Sequence, residues 1–435
     1  MLARLALLAA VASALAMPPT RRRHAPKLHA APVAGGRTGR GGKGEVAFAT
    51  GAMLLVSAHR TLFSAAMPEL QRTLGFDAQT VGLLQAAQLA GYGLTNAIGG
   101  AAADRVGGAR VLALSLLVWS LLIALTPAAA SLGVTALALC RFGFGVASGP
   151  ALPASLAIVS NEPDANQRGT SLATVLCGFN LGSTAGLLSA AALLTLLGWR
   201  ALSVVAGSLG VALGLYASTQ FSARTASVKA KKDLKFVKGF PRQLLALTHV
   251  HNCINWSFFV MQAWLPTYFT QQLGLDMKSS ALFSALPFAT MALGSFVSGR
   301  VSASLLERMA PFEVRKRMVA VSSVVPALAL LALSTVTSAT SALALLVLAL
   351  GAHSFSSAGL HAHVTDVAPS AAGRILGFTN TVGVLVGIVA NVATGRVLDA
   401  TGSFGAVFAL TAAIYASGAA AFFAVVREGS LVAAD

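Results

Sequence analysis

The stretch Pro68-Glu-Leu-Gln-Arg-Thr-Leu-Gly75-Phe-Asp77 returns in altered form as Pro266-Thr-Tyr-Phe-Thr-Gln-Gln-Leu-Gly274-Leu-Asp276. Asp77 and Asp276 are 199 residues apart, and the same offset carries Gly100 onto Gly299. Later, Val159-Ser160 leading to Arg168-Gly169 is echoed by Val364-Thr365 leading to Gly373-Arg374. Two halves of one chain share a plan. Each copy sits among apolar runs of about 20 residues, the length that crosses a bilayer as helix. A parallel repeat of six helices is what two-bundle carriers show, with the substrate site between bundles near the midplane. Channels and enzymes rarely need that symmetry.

Composition agrees. Of 435 residues 56% are hydrophobic and 10% charged, with a mean hydropathy of +0.75; soluble domains carry about 25% charged residues. So little polar surface calls for lipid as solvent. The 42 glycines suit close helix approach in a bilayer. Cys140, Cys177 and Cys253 show no CxxC or Cys/His spacing, and no serine-triad, phosphate-loop or metal-ligand pattern occurs. Neither an enzyme nor a bound metal or cofactor is expected.

The net charge of +17 is unevenly placed. Residues 1–44 hold eight basic side chains and no acid, and the segment from Arg224 to Arg242 holds seven more against Asp233. Basic clusters flanking apolar helices set topology, so no nucleic acid is expected as partner. Leu5 to Ala16 reads as a signal-peptide core, and the acid-free Arg/Ala/Pro/Gly stretch up to Lys43 reads as a transit segment. This two-part leader resembles those that route proteins into plastids of secondary endosymbiotic origin. It implies a multi-pass protein of the plastid envelope or thylakoid. A signal anchor with a basic tail, in another endomembrane or the plasma membrane, fits the same residues.

From Glu45 onward the expected spans are 46–67, 80–102, 109–128, 132–157, 168–190, 199–220, 244–271, 280–303, 316–335, 338–362, 374–396 and 404–426. The reading is an all-α polytopic protein of twelve transmembrane helices in two pseudo-symmetric six-helix bundles. Its units are a leader 1–44, a bundle 45–220, a basic linker 221–243, a bundle 244–427 and a tail 428–435. With both termini on one side, that side receives Arg105, Arg110, Arg168, the 224–242 cluster, Arg300, Arg308, Arg315, Lys316, Arg317, Arg374 and Arg427. The other receives only Arg72, Arg200, Lys278 and Arg396. Both ends then face the positive-inside compartment.

Between spans two and three stands Gly100-Ala-Ala-Ala-Asp104-Arg105-Val-Gly107-Gly108-Ala-Arg110. It resembles the Gly-x-x-x-Asp-Arg-x-Gly signature of the major facilitator superfamily. Glycines let helices approach while Asp and Arg pair with each other and with helix ends. Gly100, Asp104, Arg105, Gly107 and Arg110, with Arg168 and Arg374, are the expected gating set.

Two arginines, Arg60 and Arg141, fall inside spans one and four, where a charge costs at least ~2.5–3.5 kcal/mol. No carboxylate falls at their depth in the sequence, so an anion would neutralise them, and a guanidinium suits phosphate or carboxylate bidentately. Snorkelling at span ends is the other reading of both. His59-Arg60, the run from Arg141-Phe-Gly143-Phe-Gly145 to Gly149-Pro-Ala-Leu-Pro153, and Trp264-Leu-Pro266-Thr-Tyr268-Phe269 resemble the anion:cation symporter family. That family includes type I phosphate transporters, sialin and vesicular glutamate transporters. The stretch Leu376-Gly377-Phe-Thr-Asn380-Thr381-Val-Gly383 and Ser284-Ala285-Leu286-Pro287 resemble its plant plastid branch. The resemblance implies that Arg60 and Arg141 bind substrate. Tyr92, Asn96, Asn180, Trp256 and Asn380 are further candidate cavity liners, with ordinary helix packing as the other reading of most of them.

Three positions depart from that pattern. Ser148 stands where the family places a proton-coupling glutamate, Gln85 where vesicular members have histidine, and Cys253-Ile254-Asn255-Trp256 lacks the usual Arg or His. His59, Gln85 and Ser148, with His353 and His361 on span ten, are therefore the positions at which coupling is sought; His363 points elsewhere. The expected activity is alternating-access transport of a small anion, inorganic phosphate first, by a monomer, with Na+ or H+ as co-transported cation. An organic anion such as ascorbate or glutamate, a facilitator of another family, and a non-transporting sensor on the same fold are the alternatives.

Overall fold

Helix α1 (Gly41–Leu74) ends where Gly75 takes φ 70°, and two residues later Asp77 starts α2 (Ala78–Val106). The left-handed backbone at Gly75 turns the chain without a Cβ clash. The Asp77 carboxylate then accepts from the N–H of Thr80 at 2.8 Å, capping the new helix. The second copy repeats each step. Helix α7 (Phe240–Thr267) runs through a π turn at Tyr268–Gln272, Gly274 takes φ 68°, and Asp276 accepts from Ser279 N–H at 3.0 Å to begin α8 (Met277–Leu306). The sequence echo is a helix stop and a helix start, used twice.

The computed structural model describes residues 41–160, 168–221, 240–368 and 372–429, apart from a few side chains that include Asp104, Arg168 and Arg374. The leader up to residue 40, most of the linker and the end of the tail lie outside the described residues. The remaining helices are α3 (Gly108–Ser131), α4 (Val134–Ser148), α5 (Ala151–Ser160), α6 (Arg168–Gln220), α9 (Pro311–Leu333), α10 (Ala339–His353), α11 (Ala362–Val367), α12 (Ala372–Thr401) and α13 (Phe404–Val425). A second π turn, Ser357–His361, lies between α10 and α11. No strand occurs among the described residues.

Nine helical segments among them are long and apolar enough to cross a bilayer. One, within α6, is two helices meeting at Gly198 (φ 70°, ψ 163°), since 53 residues of helix measure about 80 Å against a core of about 30 Å. Helices α2 and α7 fall short because they carry Gln85, Gln88 and Asn96, and His251, Asn252, Asn255 and Gln262, respectively. Counted as spans they make twelve, the expected number. Several ends differ from those expected. The first span continues through Pro68 to Leu74, the fourth breaks at Gly149-Pro150, and the tenth reaches Val367 through its π turn. Proline removes one backbone donor but is tolerated where neighbouring helices cover the gap.

Helices α1 to α6 pack among themselves, as do α7 to α13; between the two sets α2 lies along α12, α6 along α8 and α1 along α7. At the end bearing the two repeated turns these sets are joined. The Asp399 carboxylate of α12 accepts from the N–H groups of Ala78 (3.2 Å) and Gln79 (2.9 Å) at the start of α2. The Gln271 amide donates to Gln71 Oε1 at 3.0 Å, joining the two copies of the repeat. This is the side with few basic residues.

Candidate substrate site between the bundles

Helix α2 approaches α4 closely because Gly145 has no side chain: a Cβ there would run into the Gln88 carbonyl oxygen. That approach lets Arg141, one helical turn earlier, donate from Nη2 to Gln88 Oε1 at 2.6 Å. Its guanidinium lies 3.8 Å from the centre of the Phe63 ring and 5.1 Å from that of Phe144. Arg60 sits similarly, 4.7 Å over the Tyr92 ring and 5.9 Å from Phe179. Both arginines are buried, at 5% exposure for Arg60 and 1% for Arg141. Aromatic faces steady a cation and leave its charge intact.

Arg60 Nε and Nη2, and Arg141 Nε and Nη1, are buried without any hydrogen-bond partner. Unpaired buried charges cost several kcal/mol each, and an anion received between them offsets that cost. No carboxylate pairs with either among the described residues; the Asp366 carboxylate, itself exposed, pairs instead with Arg315 at 2.7 Å, where α9 and α11 meet. The cavity beside Arg60 is lined by Ser64, Gln85 and Gln88 from the first half and by Phe259, Gln262 and Asn391 from the second. Its volume is about 10 Å³, the room of one water molecule. Anything larger than water enters this cavity only if the halves part.

Tyr92 stands against Arg60, and half-buried Asn96 lies one turn beyond it. Asn180, Trp256 and Asn380 are half-buried but do not line the cavity. Asn391, three helical turns along α12 from Asn380, occupies that role, held by the Trp264 indole N–H at 3.0 Å. Gln88, Gln262 and Asn391 carry no charge and so leave no mark of their own in the sequence; the low hydropathy of α2 and α7 was the available sign.

Of the positions considered for coupling, Gln85 lines the cavity and donates to Ser64 Oγ at 3.2 Å. Ser148 is buried and bonds only back to the Gly145 carbonyl. His59 turns away towards Gly210 on α6, close enough that a Cβ at that glycine would meet its ring at 3.3 Å. His353 meets the Tyr415 hydroxyl at 2.8 Å and His361 meets His251, a residue the sequence did not single out. His363 lies on the other side, against Phe312 and Phe422. In the gating set, Arg105 and Arg110 are exposed and Gly107 takes φ 98° at the break between α2 and α3. Gly100 faces Pro153 of α5. The side chains of Asp104, Arg168 and Arg374 lie outside those described.

Residues 49–391 match the family model described as Major Facilitator Superfamily. The chain belongs to the major facilitator superfamily. A bacterial homologue of the human lysosomal transporter Spinster, in an inward-facing and occupied conformation, superposes on this facilitator with a TM-score of 0.72 at 16% identity, over 88% of this chain and 96% of its own. Among curated relatives, "Probable anion transporter 1, chloroplastic" of Oryza sativa subsp. japonica is 35% identical over 84% of this chain and 73% of its own. "Sodium-dependent phosphate transport protein 1, chloroplastic" of Arabidopsis thaliana is 34% identical over 84% and 75%. "Ascorbate transporter, chloroplastic" of the same plant is 33% identical over 84% and 71%. This facilitator is an integral membrane transporter of the plastid.

Proposed function

We propose that the protein carries inorganic phosphate across a plastid membrane by alternating access, as a monomer, together with a cation. One observation carries the reading: two buried arginines, with four unpartnered N–H-bearing nitrogens between them, have no carboxylate partner among the described residues, Arg60 lining the cleft between the bundles and Arg141 bonded to Gln88, which also lines it. A compact, multiply charged oxyanion matches guanidinium donors and a narrow cavity. The name of one relative specifies sodium-dependent phosphate transport, in keeping with this choice. Moving one negative charge against 100 mV costs ~2.3 kcal/mol, which a co-transported Na+ or H+ offsets. Each chain holds both halves of the cleft, so one copy suffices.

A second reading has its own support. Gln85, Gln88, Gln262 and Asn391 offer amides that suit the hydroxyls of an organic anion, and one relative is named for ascorbate. Uptake of labelled phosphate into proteoliposomes, with unlabelled ascorbate and glutamate as competitors, decides between them. Phosphate uptake lost in both Arg60→Ala and Arg141→Ala is the expected result. Uptake unchanged in both variants overturns the site; stronger inhibition by ascorbate than by phosphate favours the second reading. Wild-type protein that moves none of these anions would be read as a sensor on the transporter fold.

A further inference from the structure

Inside the second half, three imidazoles stand together on α7 and span ten. His251 Nε2 lies 3.5 Å from His361 Nε2, with the rings edge to face at 76° and their centres 5.0 Å apart. His251 Nδ1 lies 2.8 Å from Thr379 Oγ1 on α12. That hydroxyl also lies 3.1 Å from the Leu376 carbonyl, which can take its hydrogen. With the hydroxyl hydrogen on Leu376, neutral His251 carries its own hydrogen on Nδ1 and presents a bare Nε2 to its partner. His353 completes the group, its Nδ1 at 2.8 Å from the Tyr415 hydroxyl of α13.

The surroundings leave this cluster to itself. His361 stands 3.5 Å from His251, and His353 lies on the same span as His361. On α7 the nearby titratable groups are Cys253 and exposed His249, which bond to each other and to Ser417 of α13. Tyr415 is the titratable group described facing it from α13. Asp366 is taken by Arg315, beyond His363. With no carboxylate in reach among the described residues, one added proton makes a stable N–H···N pair, and a second is opposed by like charge.

We propose that the His251–His361 pair is a proton-binding site, holding one proton between its two Nε2 atoms, and that this proton is the coupling ion of the transport reaction. The inference rests on the transport reading for its purpose, though not for its chemistry. At 3.5 Å the nitrogens stand about 0.6 Å beyond hydrogen-bond length, so protonation draws α7 towards span ten. Helix α7 also bears Phe259 and Gln262, two and three turns further on, at the substrate cavity. Proton and anion thus act on one helix. His361 is half-buried and His251 buried, which leaves His361 the member that a proton reaches first.

The test uses the full chain in proteoliposomes loaded with a pH-sensitive dye and supplied with labelled phosphate. An acid-outside gradient is expected to raise uptake several-fold and to acidify the lumen in step. In His251→Gln/His361→Gln the ratio of uptake with and without the gradient should fall to one, while phosphate counterflow, which moves no net proton, stays detectable. A retained gradient response overturns the proposal, as does wild-type uptake that follows Na+ and moves no proton. If wild type carries no phosphate, the substrate reading fails and the proton site is judged separately. Histidine 15N NMR in bilayers, titrated from about pH 8 to about pH 5, should then show one charge shared by the pair, absent from the double variant. A pair neutral throughout, or charged twice, sinks it. Should the double variant not fold, Thr379→Val, which removes only the hydrogen-bond partner of Nδ1, should shift the midpoint of the same titration by about half a unit or more; an unmoved midpoint counts against the proposal.

Discussion

Arg60 and Arg141 are useful because of what they lack. Each is positioned by rings, and Arg141 by one amide as well, so the charge is available to a visitor. Lysine in either place keeps the charge but loses the planar fork. Arg60→Lys and Arg141→Lys are therefore expected to raise KM for phosphate about 10- to 100-fold, from lost charge-assisted hydrogen bonds of about 1.5–3 kcal/mol, in initial-rate uptake assays. Gln88→Leu should cost about tenfold, since Arg141 then loses its remaining hydrogen bond. The arginines were legible in the sequence because a charge within an apolar run is conspicuous. His251 was not, because it precedes two further polar residues, Asn252 and Asn255, that blur the same stretch.

Helices owe their ends and their separations to single residues. Gly145→Val would push a side chain into the Gln88 carbonyl and force α4 off α2, at a cost of about 1–3 kcal/mol of overpacking. A thermal midpoint lowered by several degrees, with loss of phosphate uptake, is the expected outcome. The loops also answer to pH. The Thr80 hydroxyl and N–H hold the Asp77 carboxyl below the ordinary 3.8, and Ser279 does the same for Asp276. A carboxylate whose pKa is lowered by folding stabilises above its unfolded value and ceases to do so as pH falls through the folded one. Both caps are therefore complete at neutral pH and open only below 3.8. Amide exchange at Thr80 and Ser279, corrected for intrinsic rate, should stay flat down to pH 3.8 and rise below it. These turns were readable from the repeat because Gly and Asp do fixed work at helix ends. The break at Gly149-Pro150 and the continuation to Val367 were not, since tertiary cover decides whether proline or a π turn ends a helix.

As a whole, the molecule is shut on the side poor in basic residues. Asp399 caps α2 from the other half, and Gln71 meets Gln271. Asp399→Ala removes both bonds to the start of α2 and should populate conformers open on that side. Spin labels at positions 71 and 271 would show it as a longer, broader distance distribution; an unchanged distribution would mean the contact holds nothing. Twelve spans and the two-half plan followed from apolar length and repetition. Which faces meet did not, because glycine surfaces carry no address in one dimension. The two π turns described, Tyr268–Gln272 and Ser357–His361, both belong to the second half. Such a turn holds one residue more than the α turn it replaces. Losing a residue there returns the helix to ordinary winding, with everything beyond it still in place. The same loss in the middle of α2 would swing all that follows by about 100°. Spans seven and ten should therefore tolerate a one-residue deletion that α2 does not, so the two halves, alike in plan, differ in how far their lengths are free to evolve.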